Sequence, residues 1–247
     1  MHKFFTPKEN IISGSGIITG DDVKHIYKVL RLSEGEKVIL NDCNGKEYLS
    51  EISDITKTEV SLKILEELKI NNESQVKIDL FQGVPKAAKM DLIVQKGTEL
   101  GINNIIPVLT KRVDVKLSGD FKKLDRLNRI ALEAAKQSKR TIIPKVSEPV
   151  DFDTLLQSID DYDIFLVPYE NAEDTGLKSV IRNVNNIKKV GILIGPEGGF
   201  EKEEIDILKE KGANIITLGK RILRTETAGF VTTALVQYEL GDLGGVI

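Results

Sequence analysis

Hydrophobic positions in the second two thirds of the chain fall into two alternating patterns. Residues 190–194 form an unbroken apolar run, as expected of a strand covered on both faces. Further strands are predicted at 76–81, 105–109, 164–167 and 214–218. Between them apolar residues recur at helical spacing. Met90, Ile93, Val94, Gly97 and Leu100 mark a helix over 86–100, which Gly101 ends. Leu124, Leu127, Ala131, Ala134 and Ala135 mark another over 122–138, and 176–183 reads as helical. Glu201, Glu203 and Glu204 open a charged helix, Ile205 and Leu208 give it a buried stripe, and Lys209, Lys211 and Gly212 close it. A last helix over 227–240 carries Phe230, Val231, Ala234, Leu235 and Tyr238 on one face. Strands that alternate with helices predict an α/β domain built on an open sheet.

The first 70 residues read differently. One short helix over 22–30 shows Val23, Ile26, Tyr27 and Leu30 at helical spacing, and a short strand follows at 37–40. Asn44-Gly45 is a hairpin signal, and strands at 48–55 and 59–65 follow it. Short strands with glycine turns suggest a compact barrel. Residues 66–75 (EELKINNESQ) are polar and poor in large apolar residues, as in a linker. The expected organisation is therefore a β-rich domain over 1–70 and an α/β domain over 74–247.

Composition narrows the function classes. At 40% hydrophobic and 30% charged, 247 residues are enough for a substantial core. No apolar run approaches membrane-spanning length, and the first residues show no signal-peptide pattern. Cys43 is the only cysteine, so no internal disulfide forms, and a reducing cytoplasm fits. His2 and His25 are the only histidines, which argues against a histidine metal centre or a Ser-His-Asp triad. Net charge is −3, yet residues 111–145 hold eleven Lys/Arg against four Asp/Glu. That segment reads either as a phosphate-binding face or as a solvated helix surface.

The candidate chemistry sits in one β-α-β unit. Strand 190–194 runs into Gly195-Pro196-Glu197-Gly198-Gly199, and strand 214–218 runs into Gly219. Glycine at strand ends lets another molecule approach the backbone, and ligands of open α/β sheets bind at that carboxyl edge. The second loop adds Lys220, Arg221, Arg224, Glu226 and Thr227. Neither loop fits the dinucleotide fingerprint or the P-loop.

Together, IGPEGGF and LGKRILRTETA closely resemble the uracil-N3 methyltransferases of small-subunit ribosomal RNA, in the SPOUT class. The likeness spans nearly the whole chain. His25, Val29, Leu30, Arg31 and Gly35 match the family's H-x-x-x-V-L-R-x-x-x-G, and Lys86 to Gly101 its K-x-x-K-M-D run. Arg112 matches too, although Val113 stands where many members have serine. Glu133, Gln137, Ser138 and Arg140 fit E-A-x-x-Q-S-x-R.

The resemblance implies a PUA-like RNA-binding barrel and a SPOUT α/β domain with a C-terminal trefoil knot. It implies S-adenosylmethionine held by Ile194, Gly195, Pro196, Glu197, Gly198, Leu218, Gly219, Ile222, Leu223 and Thr227, with Pro168 beside them. RNA contacts are expected from Arg31, Lys86, Lys96, Arg112 and Arg140. Arg31 reads equally as a helix-closing arginine, and Lys86 and Lys96 as solubilising charges. Arg224 is the candidate for stabilising charge on the base, or else it braces the loop by pairing with Glu197 or Glu226. The general base is left open between Glu197 and Glu226, either of which needs a raised pKa. The implied partners are small-subunit ribosomal RNA or the 30S particle and a second copy of the chain. No metal or membrane is implied, and the C-terminal helix is a candidate for the homodimer contact.

Overall fold

The computed structural model describes residues 1–86, 89–113, 124–172, 175–182, 184 and 186–245. The chain divides into two compact units, one of residues 1–73 with 139–143 and the other of 74–138 with 144–247.

In the first unit, six strands make one sheet: β1 (Lys3–Phe5), β2 (Ile11–Ile12), β3 (Ser15–Thr19), β4 (Lys37–Asn41), β5 (Glu47–Ile55) and β6 (Glu59–Leu68). Their order is β1-β4-β5-β6-β3-β2. Only the β1–β4 pair is parallel. The sheet curls so far that Thr6, just after β1 at one edge, donates its hydroxyl to Ile17 O on β3 near the other at 2.6 Å. Phe4, Ile18, Val38, Leu40, Ile52 and Leu62 fill the inside. The predicted helix over 22–30 begins as α1 (Asp21–Lys24) and widens into a π-helical turn, His25–Leu30. Val23 and Ile26 stay in the core while Arg31 ends the turn in the left-handed region, at φ 54°.

In the second unit a sheet of parallel strands runs β10-β8-β7-β12-β11-β13, with β9 beside β8. These strands are β7 (Lys77–Gly83), β8 (Ile102–Leu109), β9 (Lys145–Val146), β10 (Val150–Asp151), β11 (Ile164–Pro168), β12 (Lys189–Ile194) and β13 (Asn214–Ile216). The helices are α2 (Lys89–Glu99), α3 (Leu124–Gln137), α4 (Phe152–Gln157), α5 (Leu177–Arg182), α6 (Lys202–Glu210) and α7 (Thr225–Leu240). One face of the sheet, with Phe81, Val108, Phe165 and Leu193, packs on Leu155 of α4 and on Ile205 and Leu208 of α6. On the other face Gly97 of α2 lies so close that an added Cβ would sit 2.9 Å from Ile102.

The last helix departs from its sequence pattern. The predicted apolar stripe faces outward in part, with Leu235 39% and Tyr238 64% exposed. The buried face is small and polar instead: Thr225, Gly229, Thr232, Thr233, Val236 and Gln237. Small residues let the helix approach α2 and strands β7 and β12, and periodicity alone registered only the apolar side.

Residues 139–143 lie within the predicted second domain, but they fold with the first unit. The Glu73 carboxylate organises them. It accepts from Arg140 Nη2 at 2.6 Å, Thr141 N at 2.8 Å and Ile142 N at 3.1 Å. Asn41 Nδ2 donates to Thr141 O at 3.0 Å. Arg140, expected among the RNA contacts, is only 4% exposed. Its guanidinium is enclosed with the carboxylate it pairs with, so it braces this unit rather than presenting a charge to solvent. Removing one partner of such a pair leaves the other charged and uncompensated. Arg140→Ala is therefore expected to cost about 3–5 kcal/mol of stability, read from the urea midpoint and slope; an unchanged midpoint would refute the brace.

Candidate active site

Parallel strands end on a common edge, so β7, β11, β12 and β13 deliver their following loops to one place. A cleft of about 370 Å³ lies there. Its walls come from Pro168 and Glu170, from residues 194–200, from Ile222, Leu223, Arg224, Thr225 and Ala228, and from Lys89. A smaller hollow of about 90 Å³, lined by Tyr169, Leu218 and Gly219, shares Pro168, Ile222 and Leu223 with it.

Several contacts fix the floor. Thr225, the first residue of α7, donates its hydroxyl to Gly195 O at 2.6 Å. Gln82 Nε2 at the end of β7 donates to the same hydroxyl at 2.8 Å. Strands β7 and β12 and helix α7 are thereby tied at one point. At Gly83 an added Cβ would lie 2.6 Å from Pro196 N, so a larger side chain would displace the loop. Arg112 grips the far side of the loop. It donates to Glu201 Oε1 at 2.9 Å, to Glu201 Oε2 at 3.1 Å and to Gly198 O at 2.8 Å. Buried Glu204 accepts from Glu201 N and from Lys111 N, both at 2.9 Å, which caps α6.

Charge at the mouth is distributed unevenly. Lys89 Nζ lies 3.0 Å from Glu197 Oε1 and 3.5 Å from Glu226 Oε2. Glu197 also accepts from Lys86 N at 3.1 Å. Burial pushes the Glu197 carboxyl up. The Lys89 ammonium and the backbone N–H groups of Glu197 and Lys86 outweigh it and hold the pKa below the ordinary carboxylate value. The bond to Glu197 in turn raises Lys89. A general base in Glu197 needs a shift in the opposite direction. Arg224 occupies the N-cap position of α7, with no side-chain cap bond and its side chain exposed. Among the described residues no carboxylate pairs with it, so bracing by Glu197 or Glu226 is not what the structure shows.

The structure gathers Pro168, Ile194, Gly195, Pro196, Glu197, Gly198, Ile222, Leu223 and Arg224 into the cleft, and Leu218 and Gly219 into the adjoining hollow. Thr227 lines neither. It lies two residues, about 200° of helix turn, beyond Thr225, which faces the cleft instead. Sequence reading missed Thr225, Glu170, Phe200, Ala228 and Lys89; only the T-E-T spacing hinted at Thr225. Of the expected RNA contacts, Arg31 and Lys86 are exposed, Lys96 is part-exposed and pairs with Glu99 at 2.8 Å, and Arg112 is exposed but held by Glu201. Among the described residues no cluster of His, Cys, Asp and Glu fits a metal ion, and no helix is long and apolar enough to cross a membrane.

Known proteins resemble the chain along most of its length. A family profile described as an RNA methyltransferase domain matches residues 72–237, and one described as an RNA methyltransferase PUA domain matches 18–65. A ribosomal RNA small subunit methyltransferase E of Bacillus subtilis is 36% identical over 234 residues, covering 92% of this chain and 91% of the relative. That of Mesomycoplasma hyopneumoniae is 40% identical over 177 residues, covering 71% and 76%. The crystal structure of a ribosomal RNA small subunit methyltransferase E from Neisseria gonorrhoeae bound to S-adenosyl methionine superposes with a TM-score of 0.84 at 30% identity, covering 98% of this chain and 99% of that one.

The depressed pKa of Glu197 makes a pH prediction. Its contribution to stability is complete above the unfolded value near 4.5 and is lost as pH falls through the lower folded value. Glu197→Gln is therefore expected to be less stable than wild type at pH 6 and to converge with it at acid pH, in urea titrations. A gap that widens on acidification would refute the assignment.

Proposed function

We propose, from the premise that this chain belongs to the ribosomal RNA small subunit methyltransferase E family, that it methylates N3 of a specific uridine in 16S ribosomal RNA with S-adenosylmethionine as donor. The observation that carries the reading is the glycine-lined cleft at the carboxyl edge with an arginine at its mouth that no described carboxylate pairs with. The residues suit the cofactor. Ile194, Phe200 and Leu223 give apolar walls, glycine backbone lies bare between them, and the volume falls in the usual range for small-molecule sites. Bound there, S-adenosylmethionine supplies an electrophilic methyl group on a sulfonium. The chain's own part is to hold and orient, and alignment of this kind is worth up to about 7–11 kcal/mol in well-arranged systems.

The acceptor nitrogen carries an imide proton, and negative charge spreads to the two flanking carbonyl oxygens as that proton leaves. The Arg224 guanidinium, unclaimed by any described carboxylate, is the cation placed to receive that charge, and it acts most strongly on the transition state. Glu197, with its pKa held down, is poorly suited as the base. N3 lies on the pairing edge, so the target uridine must be unpaired or flipped out.

The trefoil knot belongs to this proposal. Its support is the path of 217–224, which leaves β13 at the edge of the sheet and returns to Gly195 near its centre. The homodimer belongs to it as well, supported by Leu235 and Tyr238 standing exposed on α7. Arg31, Lys86 and Lys96 are the proposed contacts to RNA, naked or within the 30S particle, and such a substrate implies the cytoplasm.

The test is methyl transfer from labelled S-adenosylmethionine to small subunits lacking the modification, with mass mapping of the nucleoside. A single 3-methyluridine is expected. Transfer to another atom would overturn the N3 assignment, and no cofactor binding would overturn the enzyme. Arg224→Ala is expected to lower kcat by roughly 10²–10³-fold while cofactor affinity holds; full activity would remove its role.

A further inference from the structure

We infer that Lys89 is a positioning residue: by holding Glu197 and Glu226 it keeps the Arg224 guanidinium free for the substrate. The inference rests on the role given to Arg224 above and deepens it. Lys89 opens α2 and lines the same cleft mouth as Arg224. Its ammonium lies 3.0 Å from Glu197 Oε1 and 3.5 Å from Glu226 Oε2, a buried oxygen without a hydrogen-bond partner among the described residues, so that Lys89 is its ion-pair neighbour. Glu226 is 9% exposed and only two residues from Arg224, on the first turn of α7. Glu197 lines the cleft with Arg224.

These four groups balance, two cations against two carboxylates. Without Lys89, Glu197 and Glu226 face a single guanidinium, with Glu170 lining the same cleft. Arginine's planar fork matches a carboxylate bidentately, and a half-buried carboxylate deprived of its cation seeks another. The available cation is Arg224. Its capture would remove the donor aimed at the substrate and leave the second carboxylate facing the negative charge that develops there. Both effects raise the barrier while the apolar walls of the cleft, Ile194, Phe200 and Leu223, stay in place. A lysine that merely braced the glycine loop would act differently, since its loss would loosen the loop at 195–199 and weaken cofactor binding.

The experiment compares Lys89→Met, Lys89→Arg and the triple variant Lys89→Met/Glu197→Gln/Glu226→Gln with wild type. For each, kcat on modification-deficient small subunits and S-adenosylmethionine affinity by calorimetry are measured. Lys89→Met is expected to lose kcat toward the roughly 10²–10³-fold deficit of Arg224→Ala, with cofactor affinity unchanged. Lys89→Arg keeps activity, and the triple variant, with no carboxylate left to capture Arg224, regains much of it. Full kcat in Lys89→Met, a parallel loss of cofactor affinity, or no recovery in the triple variant would overturn the inference. If wild type transfers no methyl group, the functional reading fails by itself. Lys89 is then judged by a crystal structure of Lys89→Met: Arg224 paired with Glu197 or Glu226 supports the inference, and Arg224 still unpaired overturns it.

Discussion

The site depends on one hydrogen-bonded junction, Gln82 to Thr225 to Gly195. It lies where the ends of two central strands meet the start of the last helix. Thr225 is buried and Gln82 fully so, so leaving the Thr225 hydroxyl or the Gln82 amide unpaired would cost about 1–3 kcal/mol. The junction therefore selects one path for the loop at 217–224, across the carboxyl edge, and that path encloses the cleft. Gly83 contributes by omission, because its missing side chain leaves room for Pro196.

Charge pairing then decides which groups stay available. Every carboxylate near the glycine loops could claim a cation. Glu201 has Arg112, and Glu197 and Glu226 share Lys89. Arg112 and Arg224 look alike in sequence, as exposed arginines near loops, but they differ in what surrounds them. Arg112 is occupied with the backbone and side chain of residues 198–201, while no described carboxylate claims Arg224. Arg140 is a third outcome, enclosed with Glu73 in the first unit. Three arginines thus divide into a loop clamp, a cation that no described carboxylate claims and an internal brace.

Helix α7 shows a related division. Its small, hydroxylated face is the one pressed against the sheet and α2, and its larger apolar residues stand partly in solvent. A face of threonine and glycine packs closely at short range, which suits a helix whose first turn must reach the floor of the cleft.

The sequence alone determined the alternation of strands and helices and the two glycine loops. These features depend on local patterning and backbone conformation, which are written residue by residue. The resemblance carried by IGPEGGF and LGKRILRTETA added the family, because it lies in residue identity and spacing. Tertiary structure alone decided the fate of each charge, the inward turn of Thr225 in place of Thr227, the outward face of α7 and the excursion at 139–143. Each depends on a partner distant in the chain: Lys89 on Glu197 and Glu226, Thr225 on Gly195, and Arg140 on Glu73. Periodicity reports which positions share a face, but not which face meets the core or which carboxylate a cation meets.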